Sequence, residues 1–429
     1  MFSRTVGSCA LIVCTALPRM VFAQRPDSLR LSDVYRELRA QNPRLQAATA
    51  FVEAERAKEP GAGLPPDPEV RIGMMDFALP GFSADMATSM APSIQAMQML
   101  PIPGKLSMGR TIARQSTAIA RSQADEVWWE IRAQAAMAFY ELYQSDRQLA
   151  VMQETLELLR RFHKVAQAMY SAGEGRQADV LRASVEIARM QADITRMQTM
   201  RTVDAAKLNA LLLRPANTPV GQTTDAVQPL AMPSADVLID WAEASRPMLA
   251  AGRLSVERAQ ARQALARREI WPDITLGLGY GRRPTDMGTE HMGSAMIGFS
   301  VPVFAKQRQL RMREEANAMT QMAEADLTQM RAMVNARVAE LLAEIERAQT
   351  LIALYTRDVL PQARATVESS FSSYRVGAVD FMTLLDAQMT TNSYRQELVA
   401  LEAQHGSALA ELEMTIGREL QTNAQSDGR

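Results

Sequence analysis

Tyr374-Arg-Val-Gly377-Ala-Val-Asp380-Phe-Met-Thr383-Leu-Leu385-Asp386-Ala387 lies between two long stretches without a helix breaker. The pattern occurs a second time, 204 positions earlier, as Tyr170-Ser171-Ala172-Gly173-Glu174 followed by Asp179-Val-Leu181-Arg-Ala183. Glycine accepts the left-handed backbone of a tight reversal, so both segments read as turnarounds between antiparallel helices. Working outward, Asn42-Pro43 and Leu45 match Arg246-Pro247 and Leu249 at the same offset, and Pro68-Glu-Val-Arg-Ile-Gly73 matches Pro272-Asp-Ile-Thr-Leu-Gly277. Leu100-Pro-Ile-Pro-Gly-Lys105 matches Val301-Pro-Val-Phe-Ala-Lys306 at an offset of 201. One offset kept across anchors this far apart marks an internal duplication.

Each half follows one plan. A helix is expected over Leu31–Lys58 and again over Ala235–Glu269, with Ser32 or Asp33 and Ser234 or Asp236 as N-cap candidates. Two short alternating segments follow in each half, 69–74 with 93–100 and 273–278 with 295–301. Period-two patterning bounded by Pro and Gly reads as strands. The stretches around Pro80-Gly81 and from Pro284 to Gly293 read as the loops between them. Long helices are expected over Ser107–Ala172 and Gln307–Arg375, returning as second helices to Leu213 and Leu420. At ~1.5 Å per residue such a helix reaches on the order of 100 Å. In the later one, Leu327, Met330, Val334, Val338, Leu341, Ile345, Ala348, Ile352, Tyr355 and Val359 are spaced by threes and fours, a coiled-coil seam with one stutter. Pro361 is expected to kink it. The division is then residues 1–23 as a secretory signal peptide, 24–213 as the first repeat, 214–234 as a proline-rich linker, 235–420 as the second repeat and 421–429 as a disordered tail.

Composition narrows the function classes. The 429 residues are 47% hydrophobic but only 5% aromatic, with 28 Met and a net charge of −1, and the mean hydropathy is −0.15. Charge balance argues against nucleic acid as the main partner. Past the N-terminus no apolar run of ~18 residues offers a transmembrane helix. Both cysteines, Cys9 and Cys14, lie in the signal peptide, so the mature chain is expected to have no disulfide or thiolate chemistry. His163, His291 and His405 lie far apart and share no metal-ligand spacing, and no phosphate-binding loop or nucleophile elbow is present. Catalysis and cofactors are not expected.

Four amphipathic strands are too few to close a barrel, and an open sheet leaves unpaired edges. Oligomerisation solves both: three copies supply twelve strands and twelve long helices. A closed barrel pairs every backbone group and can place one face toward lipid and the other toward a polar lumen. The alternative on pattern alone is an exported periplasmic coiled-coil protein, adaptor-like, with small sheets.

The signal peptide, the duplicated helix–strands–helical hairpin and the two tip sequences together resemble the TolC family of outer-membrane efflux proteins over residues 30–420. The resemblance implies a mainly α fold with a small β part, in which four strands per chain complete a twelve-stranded trimeric barrel above a periplasmic helical cylinder. It implies a passive exit duct of a tripartite efflux or type I secretion system. The implied partners are two further copies, a periplasmic adaptor, an inner-membrane pump and outer-membrane lipid. It places adaptor docking at Tyr170, Ser171, Ala172, Gly173, Glu174, Tyr374, Val376, Gly377 and Ala378, with both tyrosines wedged between helices. It also implies an inward-coiled constriction with carboxylates that select cations. Asp386, nine past Gly377, matches such a carboxylate. Thr383 stands where members can carry another acid, and Val379 where some carry a latch arginine, so Asp179 and Asp380 become the compensating candidates.

Ten methionines fall in the strand and hairpin regions: Met74, Met75, Met86, Met90, Met97, Met99, Met108, Met287, Met292 and Met296. Thioethers suit Cu(I) or Ag(I), which makes soft metal cations a candidate cargo. Methionine is equally a flexible apolar filler, and the long helices are also Met-rich.

Overall fold

The computed structural model describes residues 28–75, 91–224, 231–285 and 288–420. The expected signal peptide and tail, the loop around Pro80-Gly81, Met86, Met90 and Met287 lie outside the described residues. The first half contains β1 (Ser28–Leu29), α1 (Leu31–Gln41), α2 (Pro43–Ala57), β2 (Glu69–Met75), β3 (Ala91–Leu100), α3 (Lys105–Ser171) and α4 (Gln177–Leu211). β4 (Gln222–Thr223) joins it to α5 (Ala235–Ser245), α6 (Pro247–Arg268), β5 (Ile274–Thr285), β6 (Gly288–Phe299), α7 (Gln309–Leu354), α8 (Leu360–Arg375) and α9 (Phe381–Ile416).

Where one opening helix was expected in each half there are two. Pro43 and Pro247 begin α2 and α6, where a missing N–H is harmless, and they hold the preceding Asn42 and Arg246 extended. Asn42 caps its own helix, accepting from the Arg44 amide at 2.9 Å. Arg246 has no acceptor to offer. Glu126 of α3 supplies it instead, accepting from the Met248 amide at 2.9 Å and pairing with Arg246 at 3.3 Å. Ser234 precedes α5 as N-cap, whereas Arg30 precedes α1 and leaves Ser32 and Asp33 inside that helix.

The seam on α7 has Val334, Val338, Leu341, Ile345 and Ala348 buried, and none of its ten positions is exposed. The disturbance expected at Pro361 is placed just before it. Tyr355–Val359 form one π-helical turn, in which the Leu360 amide donates back to the Tyr355 carbonyl. The added residue per turn reaches Pro361, which has no N–H to give.

β2, β3, β5 and β6 form one antiparallel sheet in that order. β5 and β6 are longer than expected: Pro284 and 288–293, read as loop, continue the ladder as far as Thr285 opposite Gly288. Gly293 interrupts the apolar alternation but pairs with Tyr280, so the strand runs past the point where the pattern fades. A two-residue parallel pairing, β1 with β4, carries no periodic signal and was not anticipated.

By register, Ile72, Ile94, Leu278, Tyr280, Ile297 and Phe299 share one sheet face, while Arg71, Ser93, Gln95, Thr275 and Ser294 share the other. Ile72 is 82% exposed and Leu278 69%, an apolar surface that water alone would not favour. Among the described residues no helix is long and apolar enough to cross a membrane.

Three cores run down the helical body. One joins α1, α3, α4 and α9 around Leu38, Phe139 and Leu208. A second joins α5, α6, α7 and α9 around Leu238, Leu341 and Leu412. The third, at the far end from the sheet, joins α3 and α4 to α8 and α9 around Phe162, Met190, Tyr374 and Phe381. The two hairpins thus share cores instead of standing apart, and α3 packs against α9 along its length.

Candidate functional site

The two turnarounds meet at that far end. Both close by the same backbone device. Gly173, at φ +77°, donates to the Tyr170 carbonyl while the Glu174 amide donates to Met169 at 2.9 Å. Gly377, at φ +72°, donates to Tyr374 while the Ala378 amide donates to Ser373 at 2.9 Å. This pair of bonds satisfies the last carbonyls of α3 and α8 and needs a left-handed residue at each glycine.

The two tyrosines are not equivalent in the single chain. Tyr374 is 3% exposed and packs edge-to-face on Phe381 at 5.4 Å, with Phe162 stacked on Phe371 at 5.2 Å beneath it. Tyr170 is 46% exposed and has no such wedge. Ser171, Ala172, Gly173 and Glu174 are all exposed, as are Val376, Gly377 and Ala378, so the small residues of both tips are accessible.

The acidic candidates separate by environment. Asp179, in the first turn of α4, faces the Tyr374 hydroxyl across the junction of the halves. Burial first, then the Asp179 carboxylate, push that hydroxyl up to about 12. Asp380 caps α9: its Oδ1 accepts from the Thr383 amide at 2.9 Å and from the Thr383 hydroxyl at 2.6 Å. Those bonds, with Arg176 and Arg182 of the first tip nearby, hold its carboxyl below the usual range. Thr383 is therefore engaged in a helix cap, and Asp386 is exposed farther along α9. The arrangement offers a hydrogen-bonded helix cap at Asp380 and Thr383 and a cluster of charges, Asp179, Asp380, Arg176 and Arg182, around the buried Tyr374 hydroxyl. Sequence reading missed Phe162, Phe371, Arg176 and Arg182. Phe371 stands three residues before Tyr374, and that spacing was the one available hint.

Among the methionines, Met97 and Met296 lie on the polar sheet face on either side of Gly277, where an added Cβ would sit 3.3 Å from Met296 Cε and 3.6 Å from Met97 Cγ. Met108 lies in α3. Among the described residues no group of three His, Asp or Glu is placed to hold a metal ion.

The outer membrane efflux protein family model matches residues 34–212 and 238–418. The cobalt-zinc-cadmium resistance protein CzcC of Cupriavidus metallidurans is 22% identical over 335 residues, 75% of this chain and 77% of that one. The pyoverdine export outer membrane protein OpmQ of Pseudomonas putida is 22% identical over 395 residues, 87% of this chain and 82% of that one. Among solved structures, CusC superposes with a TM-score of 0.76 at 20% identity, covering 90% of this chain and 92% of that one. The outer membrane protein VceC of Vibrio cholerae gives 0.76 at 18%, covering 91% and 97%.

Proposed function

The chain belongs to the outer membrane efflux protein family, and we propose that it is the passive exit duct of a tripartite exporter, assembled from three copies. It resides in the outer membrane with its helices extending into the periplasm. One observation carries the reading. The open sheet, apolar on one face, leads through Lys105 into a 67-residue helix of roughly 100 Å, and in the duplicated half through 300–308 into α7, the π-helical turn and α8. Such an open arrangement has no interior of its own; closed by further copies it encloses a lumen continuous from membrane to tip. The exposed small residues beside Gly173 and Gly377 then receive a periplasmic adaptor, and an inner-membrane pump supplies the energy. A periplasmic adaptor carries one such hairpin, whereas two equivalent hairpins stand here and the family model matches both halves.

Membrane fractionation combined with heat-modifiability on denaturing gels tests this. The duct is expected as a heat-dissociable trimer in the outer membrane, and a monomer in the soluble periplasmic fraction would sink the reading. Cargo is addressed by deleting the gene and screening sensitivity. CzcC is named for cobalt, zinc and cadmium resistance and OpmQ for pyoverdine export, so metal and siderophore arms both belong in the screen. Met97 and Met296 on the polar sheet face favour a soft-metal arm with Cu(I) and Ag(I). Hypersensitivity to those ions, with drug tolerance unchanged, is the outcome that reading requires.

A further inference from the structure

Between α6 and α7, on the helical body, runs a groove of about 470 Å³. Gly252 of α6 forms its floor. With no Cβ there, Leu327 Cδ1 and Met330 Sδ of α7 come within 3.0 and 3.3 Å of where one would stand. Met319, Asp326 and Met330 are seven and four residues apart, so one face of α7 presents thioether, carboxylate and thioether in turn. Two guanidiniums, Arg258 and Arg262, line the α6 wall, while two carboxylates, Glu315 and Asp326, line the α7 wall. None of these four groups makes an ion pair among the described residues. Their neighbours on the same helices do pair: Arg253 and Arg331 both reach Glu243, and Arg311 reaches Glu314. The charges of the groove are thus of both signs, on opposite walls, and held apart by apolar surface.

Like charges four apart on a helix repel. Arg258 is half-buried, and burial first, then the Arg262 guanidinium, lower its pKa against the weaker pull of Glu55 on α2. Two cations partly withdrawn from water with no counter-ion favour an anion, which they can hold by charge-assisted hydrogen bonds. We infer that the groove binds a small zwitterionic amphiphile, its anionic group on Arg258 and Arg262, its ammonium toward Asp326 and its apolar body over Met319, Leu327 and Met330. The volume lies within the ~300–1,000 Å³ of small-molecule sites. Copies added beside α7 leave this side open, as the first half shows. In these helices the halves correspond at an offset of 203: Gly73 faces Ser93 as Gly277 faces Met296. Thr117 and Thr320 are likewise both buried, each hydroxyl donating to the carbonyl four residues back. The counterparts of Met319 and Asp326 are then Ser116 and Gln123. α3 has a helix on either side, α2 and α6, yet Ser116 stays half-buried and Gln123 exposed. The site goes beyond the duct reading, since passive exit needs no binding in the helical wall, and both of its walls belong to one chain.

Methyl-labelled methionines in the full-length, lipid-embedded protein report on the groove directly, with the Met319 and Met330 signals identified through Met319→Leu and Met330→Leu. The probe is benzyldimethylammonio-propanesulfonate, an aromatic ring carrying both an ammonium and a sulfonate. Phenylpropanesulfonate supplies the anion alone and benzyltrimethylammonium the cation alone. The zwitterion is expected to shift both methyl signals saturably, and each single-charge probe to bind roughly tenfold more weakly, the scale of one charge-assisted hydrogen bond. Arg258→Gln with Arg262→Gln is expected to weaken the zwitterion by a similar factor and leave benzyltrimethylammonium unchanged. Asp326→Asn is expected to weaken the zwitterion and leave phenylpropanesulfonate unchanged. The three probes are compared on the unaltered protein as well, so a variant that fails to fold does not decide the matter. Absence of a saturable shift with the zwitterion, or equal affinity for all three probes, overturns the inference and leaves the duct reading standing. Binding that survives in both charge variants overturns it equally. A protein that binds the zwitterion but never reaches the outer membrane supports the groove and defeats the duct.

Discussion

Replacing Lys105 by Met removes a charge that the fold has enclosed at the point where strand becomes helix. The ammonium is 7% exposed and donates to Asp273 at 2.9 Å, Glu269 at 3.2 Å and the Trp271 carbonyl at 3.4 Å. Its loss leaves two carboxylates facing each other beside a strand exit. Breaking a buried pair from one side costs about 3–5 kcal/mol. Glu269 and Asp273 remain 34% and 20% exposed, so water recovers part of this and the expected loss is about 2–3 kcal/mol. With a denaturant slope of roughly 5 kcal/mol per molar for a chain of this size, the guanidinium midpoint of the detergent-refolded protein falls by about 0.5 M. The stem of Met matches that of Lys, so the loss reports charge and hydrogen bonds more than packing. A shift corresponding to less than about 0.5 kcal/mol, the value of an ordinary exposed pair, would refute the reasoning that the junction is a buried lock. Lys306→Met supplies the internal control: Lys306 is exposed and makes no ion pair among the described residues, so the midpoint is expected to stay unchanged.

Three further outcomes follow from the helical body. Gly377→Val fits sterically but forces a β-branched residue to φ +72°, at a strain of about 1–2 kcal/mol; amide exchange over 373–380 is expected to accelerate roughly tenfold while the distal cores stay protected, and unchanged exchange would count against the turn assignment. Tyr374 has its hydroxyl raised to about 12 in the folded protein, so the unfolded chain ionises first. Stability is complete below pH 10 and declines as pH rises from 10 through about 12, and Tyr374→Phe is expected to flatten that alkaline limb in a pH series of thermal melts. His405, 1% exposed and beside the Gln349 amide, has its pKa lowered by burial. It stays neutral while the unfolded chain takes a proton, so stability is full above about pH 6.5 and falls as pH drops through the lower folded value; His405→Gln is expected to remove that acid dependence, and an identical slope in the variant would exclude it.

Much of the molecule is written in the order of residues. The 204-position offset, the two glycine turnarounds, the alternating segments and the seam from Leu327 to Val359 are local or periodic signals. They specify a duplicated chain of strands and long hairpins in which those seam positions turn inward. Proline at 43 and 247 also announced the breaks that divide each opening helix, since its constraint on the preceding residue is local. Periodicity over a long window had blurred them into one. Tertiary structure decided what depends on neighbours distant in sequence. Asn42 caps α2 from its own position, but the cap of α6 comes from Glu126, 122 residues before Met248, which no window around Arg246-Pro247 contains. The same holds for Tyr374 and Tyr170, alike in their motif yet one buried and one exposed. Tyr374 turns into the core that the two hairpins share and Tyr170 turns out of it, so burial is fixed by what packs against a residue, not by the residue itself.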